Sequence, residues 1–318
     1  MRAHAQEEDQ AEENAPPVAP EAESSWGLDV GQEIDPSLVV MSDLGGGSRY
    51  EVFAAWDRDL FCKVAVKVLR PDRLDSERSL ASFEREAMMA EGLRHPNLVR
   101  LLRWNGRLPR PYIVLEHISA PSLDDLLDQE VNLSVPDILL LAIRMLSALH
   151  YLHERSLLHL DVKPSNVTTG DPPRLLDLSI ARFAPGPLAL RHAIGTPIYM
   201  APEQCRHEHV MPATDIFGLG ATLYEALTGV APFRDGDQKA QAREERYPQL
   251  VERPVPLREV MPEVPALLHQ FVMSCLEPDP SRRPRSAIDA AVMLHRVLEG
   301  FGEDDYLAWP RGSEVRPR

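Results

Sequence analysis

The octapeptide His159-Leu160-Asp161-Val162-Lys163-Pro164-Ser165-Asn166 organises the rest of this chain. It follows a long apolar helical pattern and precedes a short run typical of a β-strand. It presents a carboxylate at Asp161, an ammonium at Lys163 and an amide at Asn166. A carboxylate can accept the proton of a hydroxyl nucleophile, an ammonium can stabilise a moving phosphoryl group, and an amide oxygen can ligate a metal ion. Alone, such a stretch is also compatible with a capped turn in any α/β protein.

Length and composition are those of a globular protein with more than one core. The chain has 318 residues, of which 44% are hydrophobic, and it exceeds the usual size of a single core. Its longest apolar stretch, Ile138–Ile143, is cut by Arg144 and falls far short of a membrane span. No basic-then-apolar leader is visible, so we expect a cytoplasmic protein without a membrane anchor. The three cysteines lie far apart, which predicts reduced thiols.

The negative charge is concentrated near the N-terminus. The net charge is −15, and residues 1–35 carry −9 of it through ten acidic side chains and one arginine. This balance argues against nucleic acid as the main partner. Residues 1–27 are rich in Ala, Glu and Pro, which predicts a disordered acidic tail. Such a tail either solubilises the chain or docks a partner, and its composition is compatible with both roles.

The first part of the chain is patterned for β-strands. Apolar runs at Leu38–Met41, Phe53–Trp56 and Phe61–Leu69 predict three strands, with a turn at Asp57-Arg58-Asp59. Between the first two strands lies Gly45-Gly46-Gly47. Glycine lets backbone N–H groups approach a phosphate without a Cβ in the way, but such a run is also an ordinary hairpin turn.

Helical periodicity dominates much of the remainder. Phe83, Ala87 and Met88 form the apolar stripe of the first predicted helix, and the strongest buried stripe follows Pro136. The predicted helices are Ser79–Gly92, Ser122–Leu127, one that begins at Pro136, Ala266–Leu276 and Ser286–Leu298.

Several separated stretches resemble protein kinases. The octapeptide resembles the catalytic loop H-x-D-x-K-x-x-N of that family. Gly195–Glu203 resembles G-T-x-x-Y-M-A-P-E and is the most specific match after the catalytic loop, while Leu175–Ser179 stands where the family has D-F-G. Thr214–Gly220 resembles S-D-I-Y-S-L-G. The resemblance covers about residues 38–300, with at least six motifs in the family's order.

The resemblance implies an α+β fold with two lobes. A β-rich N-lobe with one αC helix is expected over residues 38–116, and a mainly helical C-lobe over residues 119–300. ATP is expected to bind between them. Together the lobes form a kinase domain over residues 38–300, and residues 301–318 are a short C-terminal tail.

The resemblance also assigns roles to single residues. Asp161 accepts the proton of the substrate hydroxyl, and Lys163 stabilises the phosphoryl group. Asn166 and Asp177 ligate Mg²⁺, with Mn²⁺ as an alternative. The residues expected in the nucleotide site are Leu44, Gly45, Gly47, Val52, Ala65, Lys67, Leu115, Glu116, Ile118 and Thr168.

Lys67 closes Val64-Ala65-Val66-Lys67, which resembles the family's V-A-I-K strand. In that setting Lys67 reaches the α- and β-phosphates and pairs with a carboxylate of the αC helix. Glu86 is the expected partner, and Glu84 is the competitor. The two carboxylates are two residues apart, so they cannot share one helical face.

Other motif positions are structural in the family. Glu203 is expected to pair with Arg283, and Asp215 to start a buried helix while capping the catalytic-loop backbone.

Cys205, His207 and His209 have a spacing compatible with zinc ligands. A zinc site would need a fourth ligand and a closed geometry, so a mobile surface loop is the favoured interpretation.

The departures from the family pattern bear on regulation. Tyr50 replaces the third glycine of the phosphate loop, and Ser179 replaces the glycine of D-F-G. Leu160 replaces the arginine that binds a phosphorylated activation loop in many kinases, and no Ser, Thr or Tyr lies between Ser179 and Thr196. We therefore expect no control by activation-loop phosphorylation.

The resemblance implies a Ser/Thr protein kinase that transfers the γ-phosphoryl of ATP to a protein hydroxyl, because Thr196, Lys163 and Pro164 are typical of Ser/Thr acceptors. Two alternatives stay open. A pseudokinase that binds nucleotide as a scaffold is favoured by the departures and opposed by the complete set of reactive side chains. A small-molecule kinase is disfavoured by Gly195–Glu203, which resembles a platform for peptide substrates.

Overall fold

The computed structural model describes residues 24–301 and 316–317, and these form two compact units. The first unit comprises the chain up to Glu84 together with Arg103–Val114. The second comprises Arg85–Leu102 and the chain from Leu115 onward. Strands dominate the first unit and helices the second, so the predicted α+β fold with a β-rich and a mainly helical part is confirmed.

The first unit is built on a six-stranded sheet. Its strands are β1 (Glu33–Asp35), β2 (Leu38–Gly46), β3 (Tyr50–Asp57), β4 (Cys62–Leu69), β5 (Leu101–Asn105) and β6 (Tyr112–Glu116). They are ordered β1-β2-β3-β4-β6-β5, and β1 to β4 pair antiparallel. Strands β2, β3 and β4 were predicted from apolar runs, but β1 was not predicted. The tail predicted to be disordered, residues 1–27, lies largely outside the described residues, and its last residues, Ser24–Gly27, contact strands of this sheet.

The glycine-rich turn joins β2 to β3. Gly47 N donates to Tyr50 O at 3.0 Å and closes the turn. Gly45 and Gly46 have positive φ angles of 90° and 157°. A Cβ on Gly46 would lie 2.3 Å from Tyr50 O, so the backbone path requires glycine at this position. Of the three glycines, the middle one is therefore the most strictly required by the turn.

Nine helices of the described chain follow the sheet's first four strands. They are α1 (Glu77–Glu91), α2 (Leu123–Asp128), α3 (Val135–His153), α4 (Pro202–Arg206), α5 (Pro212–Thr228), α6 (Arg243–Arg246), α7 (Leu257–Val260), α8 (Ala266–Cys275) and α9 (Ala287–Leu298). Most agree with the predicted helices to within two residues. The apolar stripe predicted for α1 is wrong at one residue, Met88, which is 60% exposed. The buried face of α1 includes Glu86 instead.

The core of the second unit surrounds α3 and α5. Ser134 caps α3, Pro136 lies in its first turn, and its buried stripe packs against α5 and α9. By length and composition α3 could also cross a membrane, but half of its most apolar window is buried inside the protein. That burial is typical of the core helix of a globular protein.

Short strand pairs hold the loops of the second unit. They are β7 (Val131–Asn132) with β12 (Arg316–Pro317), β8 (Leu157–Leu158) with β9 (Arg182–Phe183), and β10 (Leu188–Ala189) with β11 (His209–Val210). The second and third of these pairs flank the octapeptide and the chain that follows it.

Candidate active site

Asp161 lies at the centre of a hydrogen-bonded group in the second unit. Its Oδ1 accepts from the backbone N and the Oγ1 of Thr196, at 3.0 and 2.8 Å. Lys163 Nζ lies 3.1 Å from Asp161 Oδ2 and donates to Thr196 Oγ1 at 2.6 Å. The ammonium and the hydroxyl therefore fix the carboxylate in one orientation while its pair with Lys163 stays partly open to solvent.

Asn166 ties the end of the octapeptide back to Asp161. Its Nδ2 donates to Asp161 O at 2.8 Å and to Asp161 Oδ2 at 3.0 Å. A short 3₁₀ turn over Pro164–Asn166 makes this return possible. With Nδ2 used in this way, the side-chain oxygen of Asn166 is the atom that can face a cation.

Asp177 is held close to this loop by backbone bonds. Leu176 N donates to Asn166 O at 2.8 Å, and Ser179 N donates to Asp177 Oδ1 at 3.0 Å. Asp177 has a φ of 59°, in the left-handed region that non-glycine residues seldom adopt. Ser179 is not among the residues with positive φ, so the glycine that it replaces is not needed for this conformation.

Asp215 supports the octapeptide from α5. Its Oδ2 accepts from His159 N at 3.0 Å, and its Oδ1 accepts from Leu160 N at 2.7 Å. His153 Nε2 lies 2.8 Å from Oδ2. Burial acts to raise the pKa of Asp215, but the bonds from His153 and Leu160 outweigh it and hold that pKa below its ordinary value. The predicted cap on the catalytic-loop backbone is confirmed.

His159 and Gln204 complete the support, and no sequence motif had assigned them this role. His159 accepts from Asp161 N through Nδ1 at 3.2 Å and binds Leu176 O through Nε2 at 2.9 Å. Gln204 Nε2 donates to Leu160 O at 2.9 Å and to Ile194 O at 2.8 Å. These bonds join the octapeptide to the segments of Asp177 and Thr196.

Leu160 is 4% exposed and has a φ of 66°. It belongs to an apolar cluster with Leu158 and Val210. Side chains of the segment between Ser179 and Thr196 pack on this cluster: Ile180, Ala184, Leu188, Leu190 and Ile194. Hydrophobic contacts thus occupy the place where many kinases hold a phosphate with an arginine.

The candidate phosphate-binding groups of the first unit lie on β2, β3 and β4. Lys67 is buried, lies opposite Val52 in the sheet, and has its Nζ 4.5 Å from the centre of the Tyr50 ring. Ala65 pairs with Ala54 and is half-buried. Leu44 is 49% exposed, beside the glycine-rich turn. Tyr50, which stands in place of a glycine, is itself buried.

On α1, Glu86 is 5% exposed, whereas Glu84 is exposed. Burial favours Glu86 as the functional carboxylate, since a surface glutamate needs no partner. Lys67 belongs to the first unit and Glu86 to the second, so their pairing stays a prediction.

The residues expected around adenine lie at the end of β6 and after the octapeptide. Leu115 and Ile118 are half-buried. Glu116 Oε1 accepts from Arg100 N at 2.9 Å and from Arg174 Nε at 3.0 Å, which ties the end of β6 to the second unit. Thr168 is buried, and its hydroxyl accepts from Arg174 N at 2.8 Å.

Glu203 and Arg283 form the predicted buried pair. Arg283 donates from both terminal nitrogens to the two carboxylate oxygens, at 2.6 and 2.8 Å, and both side chains are almost fully buried. Arg283 also donates to backbone oxygens of Ala213 and Glu277, and Thr214 Oγ1 donates to Glu203. All strong donors and acceptors are satisfied, as a buried ion pair requires.

The zinc alternative finds no support in the described chain, where no group of three or more His, Cys, Asp or Glu side chains could hold a metal ion. The surface-loop interpretation is wrong for Cys205, which is buried in α4 and accepts from Gln249 Nε2 at 3.4 Å. Burial raises the pKa of Cys205 and of Cys275 to about 12. All three cysteines are free thiols, as predicted.

Comparison with known proteins agrees with this geometry. The family model of the protein kinase domain matches residues 38–295. Serine/threonine-protein kinase PknB of Mycolicibacterium smegmatis is 33% identical over 273 residues, which cover 82% of this chain and 43% of the relative. A probable serine/threonine-protein kinase of Streptomyces coelicolor, SCO3848, is 33% identical over 268 residues, or 81% of this chain and 39% of the relative.

A third relative is serine/threonine-protein kinase pkn3 of Myxococcus xanthus, 30% identical over 276 residues that cover 81% of this chain and 49% of the relative. The chain thus spans less than half the length of these curated relatives. Because the family model covers most of the chain, the chain belongs to the protein kinase family, among the eukaryotic-type kinases of bacteria.

Proposed function

We propose that this chain is a Ser/Thr protein kinase that transfers the γ-phosphoryl group of ATP to a hydroxyl of a protein substrate. The observation that carries the proposal is the bonded group of Asp161, Lys163, Thr196 and Asn166. Such a group suits a reaction in which catalysis consists mainly of positioning and charge stabilisation. The printed names of the relatives support the same activity.

In the proposed reaction Asp161 orients the acceptor hydroxyl and takes its proton. Lys163 stabilises negative charge on the phosphoryl oxygens as the bond to ADP breaks. Thr196 keeps Asp161 Oδ1 directed by two hydrogen bonds, so the carboxylate needs no reorganisation during the reaction.

Asn166 and Asp177 offer an amide oxygen and a carboxylate on segments joined by the bond from Leu176 N to Asn166 O. Hard oxygen donors of this kind fit Mg²⁺ or Mn²⁺. A bound ion would neutralise phosphate charge and keep the γ-phosphoryl group in line with the acceptor.

For ATP itself, we propose that Lys67 binds the α- and β-phosphates and that Glu86 holds Lys67 in place. The backbone of Glu116 and of Ile118 would bind the adenine edge, with Thr168 at the base of the ring. Support comes from the burial of Lys67 and Glu86 and from the rigid attachment of Glu116 to Arg174.

We also propose that the enzyme works without phosphorylation of the segment between Ser179 and Thr196. The cluster around Leu160 and the pairing of β10 with β11 already hold that segment. The kinase domain would extend over residues 38–300 and act in the cytoplasm, and the acidic N-terminal tail would dock a partner.

A nucleotide-binding pseudokinase is the second candidate. One observation favours it: the Tyr50 ring lies against Lys67 Nζ, where a glycine would leave space for phosphate. The intact set of Asp161, Lys163, Asn166 and Asp177 opposes it, because a scaffold needs none of these groups together.

The test is transfer of labelled γ-phosphate from ATP to the protein itself and to a generic protein acceptor, with Mg²⁺ or Mn²⁺. We expect label with wild type, none with Asp161→Ala, and wild-type transfer with the matched variant Asp75→Ala, whose carboxylate is exposed. Removing a catalytic carboxylate typically costs at least about a hundredfold in rate.

A metabolite acceptor screen in the same assay distinguishes a small-molecule kinase. No transfer from wild type, together with a rise in melting temperature on adding ATP, would contradict catalysis and support the pseudokinase.

A further inference from the structure

Residues 24–35, here called the N-terminal brace, precede the part of the chain that the kinase family model matches. They lie against the sheet of the first unit rather than apart from it. The brace ends in β1, which pairs with the edge of β2.

One end of the brace binds β3 and β4. Trp26 N donates to Glu51 Oε1 at 3.0 Å, and Trp26 Nε1 donates to Leu69 O at 2.8 Å. Ser25 Oγ donates to Glu51 Oε2 at 3.3 Å. The guanidinium of Arg110 lies 4.6 Å from the centre of the indole ring. Glu51 directly follows the glycine-rich turn and is itself buried, so Trp26 holds the β3 side of that turn.

The other end of the brace binds β2. Gly31 N donates to Val40 O, and Val40 N donates to Gln32 O, both at 2.9 Å. Tyr112 Oη donates to Asp35 Oδ2 at 2.7 Å and secures β1 to β6. The brace therefore contacts both strands that flank the glycine-rich turn.

An arginine links the brace to the turn itself. Arg70 Nη1 reaches Ser24 O at 3.5 Å and lies 3.8 Å from Glu51 Oε1. The same side chain donates from Nε to Gly47 O at 2.7 Å. Turn, brace and the end of β4 thus share one hydrogen-bonded network.

We propose that the N-terminal brace positions the glycine-rich turn for the phosphates of ATP, with Trp26 as its principal positioning residue. This inference rests on the proposed function. Consecutive glycines lose more conformational entropy on ordering than other residues, so a turn that is already held binds phosphate at a lower entropic cost. Trp26 does not touch substrate; it acts through Glu51 and Leu69.

The test compares full-length variants by the KM for ATP, the KM for the protein acceptor and kcat. Trp26→Ala removes the indole donor and the ring above Arg110. Trp26→Phe keeps a smaller aromatic ring and removes the indole N–H. Val30→Ala is the matched control, because Val30 lies in the brace and is 72% exposed.

We expect Trp26→Ala to raise the KM for ATP about three- to tenfold, the effect of losing the hydrogen bond to Leu69 O and the ring contact with Arg110. Trp26→Phe should show a smaller rise, and Val30→Ala none. The KM for the protein acceptor should stay at its wild-type value in all three. Hydrogen exchange should quicken at residues 45–51 in Trp26→Ala but not in Val30→Ala.

A lower melting temperature with an unchanged KM for ATP would overturn the inference, because it would make the brace purely structural. If Trp26→Ala does not fold, Trp26→Phe decides by the same criterion. If wild type neither transfers phosphate nor binds ATP, the proposed function fails separately. In that case, unchanged hydrogen exchange at residues 45–51 in Trp26→Ala and Trp26→Phe would overturn the inference that the brace positions the turn.

Discussion

Tyr50 shows how one residue adapts the phosphate-binding region. It occupies the position of the family's third glycine, is 5% exposed, and contacts Phe83 with ring centres 6.4 Å apart. Its ring face lies over Lys67 Nζ, where the negative quadrupole attracts the ammonium. The side chain thus orients the lysine that a glycine would leave unsupported on this side.

Substitution of Tyr50 by Phe and by Leu distinguishes the effect of the aromatic ring face from the effect of side-chain volume. Tyr50→Phe keeps the ring and should leave the KM for ATP unchanged. Tyr50→Leu keeps apolar volume but loses the ring face, and should raise that KM about two- to tenfold. Steady-state kinetics with varied ATP measures both. A fall in KM with Tyr50→Leu would mean instead that the ring obstructs the phosphates.

Sequence reasoning named the candidate reactive residues and one residue that supports their loop, Asp215, but it did not name Gln204. Asp161, Lys163, Asn166 and Asp177 stand in motifs whose spacing reflects their chemistry. Gln204 acts through bonds from one side chain to two distant backbone oxygens, so no local pattern signals it.

The segment between Ser179 and Thr196 contains no Ser, Thr or Tyr. It pairs with the strand after α4 and packs its apolar side chains on Leu160. Hydrophobic packing does not depend on a covalent modification, so we propose that this segment keeps its conformation without one.

Truncation of Leu160 tests that conclusion. Leu160→Ala should destabilise the protein by about 2–5 kcal/mol, the usual cost of a buried leucine cavity, and lower kcat. Tryptic cleavage at Arg182 and Arg191 should quicken. Leu160→Met preserves volume and should behave as wild type. Phe183→Ala, in the same segment but 63% exposed, should have little effect, and cleavage equal to that of Leu160→Ala would contradict the role of the cluster.

Elements with strong periodicity were predictable, and short ones were not. The stripe of α3 runs over five turns and is clear in the sequence. Strand β1 has three residues, too few to show alternation, and it forms because the edge of β2 supplies backbone partners. On α1 the polar Glu86 is buried while Met88 is exposed, so hydrophobicity alone misplaced the buried face.

At the scale of the whole molecule, Asp215 links stability to pH. Its folded-state pKa lies below the ordinary value of 3.8. The carboxylate therefore contributes its full stability above the unfolded pKa, and that contribution is lost as the pH falls through the folded pKa. At neutral pH, Asp215→Asn should cost about 2–4 kcal/mol, because the amide cannot accept all three bonds as an anion does.

Urea unfolding across pH provides the measurement. The difference in free energy of unfolding between wild type and Asp215→Asn should stay constant above about pH 5 and narrow below pH 3.8. Glu263→Gln, at an exposed position, should track wild type throughout. If the difference in free energy of unfolding stays the same below pH 3.8, the contribution of Asp215 to stability depends on the shape of its side chain and not on its charge.

The order of the motifs predicted two lobes, over residues 38–116 and 119–300, but it did not predict that Arg85–Leu102 belongs to the second unit. The return of Arg103–Val114 to the first unit depends on strand pairing across the sheet, which no single motif records. The Glu203–Arg283 pair was predictable because each residue stands in its own motif.

The Glu203–Arg283 pair also bears on the order in which the two units can fold during translation. The first unit has all its residues once Val114 has been made, so it can fold while the rest of the chain is still being synthesised. Arg283 follows Glu203 by 80 residues, and until it emerges the Glu203 carboxylate has no guanidinium to accept from. A nascent chain that stops short of Arg283 therefore leaves the ribosome with a finished N-terminal unit and a second unit that cannot close around its charge.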